Sequence, residues 1–138
     1  MRVLVDTNVV LDFLLRREPW MAQSRELLRA QREGKVELFI SANSVTDLFY
    51  VIHRQVGRHR AWAAIRACLK NLTVVPIGRA ELLAAAQLDG SDFEDNLQVV
   101  CAVAAQVETI TTRDVTGFDF SPIPVMLPAD VVSRLAAS

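Results

Sequence analysis

Five short runs of apolar and β-branched residues, each too short to be a buried helix, govern what this chain can fold into. Val3-Leu4-Val5, Leu38-Phe39-Ile40, Val74-Val75 with Ile77, Thr109-Ile110-Thr111 and Ile123 to Met126 do not alternate apolar with polar residues along their length. Runs of this kind suit strands covered on both faces, as in a parallel sheet, whereas a strand with one wet face alternates. Between them apolar residues recur at helical spacing. Trp20, Leu27 and Leu28 form one stripe, Val45, Leu48, Phe49, Ile52 and Val56 a clearer one, and Phe93, Leu97, Val100, Cys101 and Ala104 a third. Pro19 separates a first short helix from the second, and Gly57 ends the helix begun near Ser44. The order β-α-α-β-α-α-β-α-α-β-β predicts a three-layer α/β/α fold with a mostly parallel central sheet. No repeat, low-complexity tract or linker interrupts it, so residues 1–138 read as a single domain.

A hydrophobic content of 51% with only 5 Gly and 5 Pro excludes a disordered chain. Cys68 and Cys101 lie inside apolar helical stretches. One disulfide is arithmetically open, but two buried thiols in a reducing compartment suit their setting better. No charged-then-apolar leader opens the chain, and no apolar run approaches the roughly 18 residues of a membrane span. The expectation is a soluble cytoplasmic protein with no membrane partner. The net charge of −1 hides an asymmetry: residues 1–70 carry 12 Lys/Arg against 7 Asp/Glu, and residues 71–138 carry 3 against 9. A basic half can face phosphates while an acidic half holds metal ions, although scattered solvated charges would give the same count.

In open α/β sheets ligands bind beyond the carboxyl ends of the strands, and that rule singles out particular acids. Asp6 ends the run Val3-Leu4-Val5, where a carboxylate is costly unless paired or metal-bound; it is equally placed to N-cap the next helix. Asp114 follows Thr109-Ile110-Thr111 in the same way, with a pairing to Arg113 as the plain alternative. Asp92 and Asp95 open a helix three residues apart and therefore share a face. There, too, a structural account is available, since Ser91 and Glu94 have capping-box spacing and first-turn acids favour the helix dipole. Asp47 projects about 200° from Val45, away from its helix's apolar stripe and beside Val51 and Arg54; it either lines a cleft or is solvated, and periodicity alone favours the surface. Taken together, these acids recur where a parallel sheet gathers its loops. Two carboxylates 5 Å apart repel by about 3 kcal/mol at an effective dielectric of ~20, which a fold tolerates with a compensating cation or raised pKa values. Oxygen ligands without Cys or His select Mg²⁺ or Mn²⁺ over zinc.

The same residues resemble those of PIN-domain nucleases over essentially the whole chain. Val3-Leu4-Val5-Asp6-Thr7-Asn8-Val9-Val10-Leu11-Asp12 is similar to that family's opening strand and first acid. Asp92-Phe93-Glu94-Asp95-Asn96-Leu97-Gln98 resembles its third acidic motif, with Asp95 the principal ligand and Asp92 its neighbour. Thr111-Thr112-Arg113-Asp114-Val115-Thr116-Gly117-Phe118 resembles the fourth, and Ser121-Pro122-Ile123-Pro124-Val125 the closing strand. The resemblance implies a PIN-like fold and a ribonuclease, often the toxin of a VapC-type toxin–antitoxin pair and usually a homodimer. In that mechanism Asp6, Asp95 and Asp114 hold one or two Mg²⁺ or Mn²⁺ ions, with Asp47 and Asp92 also in the catalytic set. The metal activates water against an RNA phosphodiester. Asn8 and Thr112 would orient the carboxylates. Arg16, Arg17, Arg54, Arg58 and Arg60 would contact the RNA backbone or else form a solvated face. Two positions depart from the family pattern: Asp47 stands where Glu is usual, and Gly117 where some relatives carry another acid.

Other chemistries fit less well. A phosphate-handling enzyme with Asp6 as nucleophile wants a second Asp at position 8, where Asn stands, and a late lysine, whereas Lys70 is the last. Zinc chemistry fails because His53 and His59 are six apart with no Cys at ligand spacing. No Gly-rich phosphate loop is present. A non-catalytic RNA- or antitoxin-binding module with a degenerate site is the non-enzymatic alternative, and Asp47 and Gly117 are the residues that favour it.

Overall fold

A computed structural model describes residues 1–90 and 92–138. Strand β1 (Arg2–Val5) leads through α1 (Thr7–Leu14) and α2 (Met21–Arg32) to β2 (Glu37–Ser41). Helices α3 (Ala42–Val56) and α4 (Arg58–Asn71) carry the chain to β3 (Thr73–Val75), and α5 (Arg79–Ala86) and α6 (Phe93–Ala104) to β4 (Thr109–Thr111). A 3-10 turn (Val115–Phe118), β5 (Val125–Met126) and α7 (Pro128–Ala137) complete it. All strand pairs are parallel, in the order β3-β2-β1-β4-β5.

Both faces of the sheet are covered, which is why the strand sequences do not alternate. Strand periodicity sends Val3 and Val5 to one side and Leu4 to the other. Val3 and Val5 pack with Leu38, Ile40, Leu27, Leu48 and Ile52 under α1 to α4. Leu4 packs with Phe39, Ile110, Val99 and Cys101 under α6. The predicted three-layer α/β/α arrangement is the observed one. Gly57 ends α3 and starts α4 with φ of +95°, a conformation in which a side chain is strained. Cys68 and Cys101 are free and buried, and burial pushes both thiols up to about 11, with Glu81 adding to the effect at Cys101.

Four local expectations are corrected. The third stripe is rotated: Leu97 and Cys101 are buried with Val99 and Ala102, while Phe93 is 50% exposed and Ala104 lies outside. That rotation turns Gln98 and Asp95 toward one end of the sheet. Trp20 is not part of a buried stripe; it stands at the start of α2 with its ring 4.0 Å beneath the Arg113 guanidinium. The chain does not end on a strand, because Pro128 opens α7, a favoured first helical position, and Val131 and Leu135 bury its face against the core. The helix start at Asp92 is capped by Asp92 itself, while Ser91, the other candidate for that cap, lies outside the described residues.

One ion pair ties α1 to the loop after β4. Asp12 on α1 has a side chain only 1% exposed and receives Arg113 at two points, Nε at 2.7 Å and Nη2 at 3.2 Å. Arg17 adds a second guanidinium at 3.9 Å. Breaking such a pair leaves a desolvated charge without its partner. Asp12→Ala is expected to lose about 3 kcal/mol, on the order of 9 °C in melting temperature. A shift within 1 or 2 °C would mean the pair contributes as little as an exposed one.

Candidate functional site

From β1 the chain builds outward to β2 and β3, then returns to place β4 and β5 on the other side. The connections leaving β1 and β4 therefore diverge at their carboxyl ends, and such a switch point opens a crevice. Val5 and Thr111 are register partners there, and the Asp6 amide donates to the Thr111 carbonyl at 3.0 Å. The crevice is a pocket of about 540 Å³, bordered by Asp6, Asp47, Asp92, Glu94, Asp95 and Asp114. All five acids singled out in the sequence thus meet at one pocket.

Asp6 occupies the N-cap position of α1, but its side chain makes no cap hydrogen bond. The carboxylate instead accepts from Gln98 Nε2 at Oδ1 (2.9 Å) and from Thr112 Oγ1 at Oδ2 (2.7 Å). A nearly buried charge is thus held by two neutral donors, with no cation bridged to it among the described residues. Thr112, wholly buried, also accepts from the Asp114 amide at 3.0 Å, so one hydroxyl sets the positions of two acids. Its expected orienting role is observed. Asn8 borders the pocket, yet among the described residues its side chain makes no hydrogen bond; Gln98 does the work assigned to it. Gln98 was legible in principle, since three residues after Asp95 in a helix it shares that face.

Asp114 does not pair with Arg113, whose guanidinium is committed to Asp12. It folds back on its own turn, accepting from Thr116 Oγ1 and the Gly117 amide, each at 3.2 Å. A Cβ at Gly117 would run into the Asp114 carboxylate, so the glycine that departs from the family pattern makes room for the acid beside it. Asp92 spends Oδ1 on capping α6, accepting from the amides of Glu94 (2.8 Å) and Asp95 (3.2 Å). Asp92 thus has a structural role through one of its oxygens, as the N-cap and not as the first-turn acid expected, and the residue still borders the pocket.

Of the two placements open to Asp47, a cleft or the solvated surface, the structure shows the cleft. The residue faces the pocket rather than open solvent, with Tyr50, Val51 and Arg54 on the same side of α3. Glu94, whose spacing from Ser91 suggests only a capping partner, reaches it. A hydrogen bond to Asp47, then burial, then the charges of Asp47, Asp92 and Asp95 push the Glu94 carboxyl up to about 8. Asp95 is pushed up to about 6, by burial first and then by Asp92, Asp6 and Asp114. Among the described residues no three of these side chains, as they stand, are close enough to close round a metal ion. They ring the pocket, the spacing that like charges take up. Of the five arginines set against RNA, only Arg54 borders it. Arg17 pairs with Asp12, and Arg16 and Arg60 line an apolar groove elsewhere, between α1, α3 and α4.

A family model described as PIN domain matches residues 2–116. Ribonuclease VapC1 of Aquifex aeolicus (strain VF5) is 28% identical over 118 residues, which span 82% of this chain and 81% of that protein. Among solved structures, DNA-bound VapBC from Salmonella typhimurium superposes with a TM-score of 0.69 at 15% identity, covering 93% of this chain and 98% of that one. Mycobacterium tuberculosis VapC20, described as a Sarcin-Ricin loop cleaving toxin, gives 0.66 at 14% identity, covering 86% and 92%. At those identities the structural likeness speaks for the fold.

The raised carboxyl groups make stability fall with pH. Asp95 and Glu94 ionise near 3.8 and 4.5 when unperturbed but near 6 and 8 in the folded chain, so the folded state binds more protons than the unfolded one between those values. Their stabilising contribution is complete below about pH 4 and is lost as pH rises toward 8. With EDTA present, the wild type should melt lower at pH 8 than at pH 5.5, and Glu94→Gln should flatten the decline, most of all above pH 6. Parallel curves for the two proteins would contradict the placement of Glu94.

Proposed function

The chain belongs to the PIN domain family, and on that premise we propose that it is a metal-dependent endoribonuclease, the toxin of a type II toxin–antitoxin pair. The observation that carries this reading is the convergence of Asp6, Asp95 and Asp114 on one pocket, with Asp6 held by neutral donors and, among the described residues, without a bridging cation. The donor set fits a hard divalent ion, being all oxygen with no histidine or cysteine at the pocket. Asp6, Asp95 and Asp114 are the residues that would hold Mg²⁺ or Mn²⁺. When bound, the ion supplies Lewis acidity that lowers the pKa of a water and neutralises charge developing on the phosphate.

The chain's own groups do the rest. Gln98 and Thr112 fix Asp6, and Thr112 sets Asp114 in step with it. Asp92 caps α6 and so places Asp95. Asp47, one methylene shorter than the usual Glu, is joined by Glu94, whose carboxyl it helps to push up to about 8. Arg54, bordering the same pocket, receives a phosphate next to the cleaved one. The name of the Aquifex relative supports ribonuclease activity, and the VapBC likeness supports a cognate antitoxin as partner. The family resemblance supports RNA as the substrate and a homodimer as the working form; no helix among the described residues is long and apolar enough to cross a membrane.

Purified protein incubated with structured RNAs should cleave with Mg²⁺ or Mn²⁺ and stop in EDTA. Asp6→Asn, Asp95→Asn and Asp114→Asn should each lower the rate by orders of magnitude, because each removes a ligand charge. Asp119→Asn and Asp130→Asn should be near neutral, and Asp47→Asn intermediate. Undiminished cleavage in chelator, or Asp119→Asn as damaging as Asp95→Asn, would overturn the assignment. Steeply salt-dependent RNA binding without any cleaved product would support the non-catalytic alternative instead.

A further inference from the structure

We infer that Gln98 belongs to the cation site itself: its amide nitrogen fixes Asp6, and its amide oxygen is a neutral oxygen ligand, direct or through a bound water, for the ion held by Asp6, Asp95 and Asp114. The inference rests on the metal-dependent reading above and adds a residue to it. Gln98 is 1% exposed, an unusual depth for a glutamine, and it borders the acidic pocket. Buried amides ordinarily find partners for both ends. Here Nε2 donates to Asp6 Oδ1 at 2.9 Å, while among the described residues no donor reaches Oε1.

The orientation of the amide is forced by chemistry. An ionised carboxylate only accepts, so turning the amide over would set oxygen against oxygen. The nitrogen must face Asp6, and the oxygen is left as a buried acceptor without a partner among the described residues, on a side chain that borders the same pocket as Asp6, Asp95 and Asp114. Neither a lysine nor an arginine is bonded to it. A hard cation satisfies such an atom, since amide carbonyls are among the oxygen ligands of these ions. A neutral ligand also suits the place, because a further carboxylate would add repulsion to the acids that already border the pocket. Asp95 and Gln98, three residues apart on α6, present this pair of oxygens from one helical face.

The test is the Mn²⁺ dissociation constant of the full chain, read from the electron paramagnetic resonance signal of free Mn²⁺, with no substrate present. Gln98→Leu, which keeps the volume and removes both polar ends, should weaken Mn²⁺ binding at least tenfold, as losses around a metal site do. Gln98→Glu, which keeps an oxygen and loses the donor, should bind Mn²⁺ at least as tightly as the wild type while melting lower in EDTA. If the leucine variant does not fold by circular dichroism, Gln98→Met replaces it. Wild-type affinity in the Leu or Met variant would overturn the inference and leave the metal reading standing. A Glu variant as weak as the Leu variant would show that only the hold on Asp6 matters, and the oxygen's assignment would fall. A wild type that takes up no Mn²⁺ would overturn both.

Discussion

Everything at the functional end of this fold follows from one electrostatic constraint: carboxylates brought together repel, and they stay together only if something holds them. A parallel sheet delivers all its strand ends to one side, so acids placed after β1 and β4 must meet. The chain holds them with neutral hydrogen-bond donors rather than with its own cations. Thr112 and Gln98 grip Asp6, and Thr112 also fixes the backbone of Asp114. Neutral donors position a charge without cancelling it, and the field they leave uncancelled is what a metal ion would enter.

The disposition of the arginines serves the same end. Arg113, adjacent to Asp114 in sequence, is drawn off by Asp12 and stacked on Trp20, so it does not neutralise the acid beside it. Arg17 is engaged by Asp12 too. The ion pair is therefore both a cross-link between α1 and the loop after β4 and a means of keeping a positive charge out of the pocket. Gly117 works to the same purpose from the other side, since any Cβ there would displace the Asp114 carboxylate.

The sheet and its covering helices were legible because burial on both faces writes itself into the strands as unbroken apolar or β-branched runs. Val3-Leu4-Val5 and Leu38-Phe39-Ile40 predicted β1 and β2 directly. The convergence of Asp6, Asp95 and Asp114 was legible from topology alone. Residues whose roles depend on three-dimensional pairing were not. Asp12 and Arg113 lie 101 positions apart, and no local pattern couples them. Asp47 looked solvated because periodicity marks a face as non-core without saying whether that face meets water or a cleft. The apolar spacing misplaces the rotation of α6 because Phe93 and Val100 advertise an apolar face, whereas the buried side includes Asn96 and Gln98, polar residues that a hydrophobic pattern cannot flag. Helix α7 was signalled by Pro128 and the Val131–Leu135 spacing, a short pattern easily overlooked beside a terminal strand.

The most direct test of the central claim, that these acids are strained against one another until a cation enters, is the melting temperature of wild type and Asp95→Asn, each in EDTA and in Mn²⁺. Removing one charge from the ring should stabilise the metal-free protein by about 1–3 kcal/mol, while abolishing most of the stabilisation that Mn²⁺ gives the wild type. If Asp95 were only a first-turn acid favouring the helix dipole, the same change would lower stability by about 0.3–1 kcal/mol. An Asp95→Asn protein that melts below the wild type in EDTA, and gains as much from Mn²⁺ as the wild type does, would contradict the account.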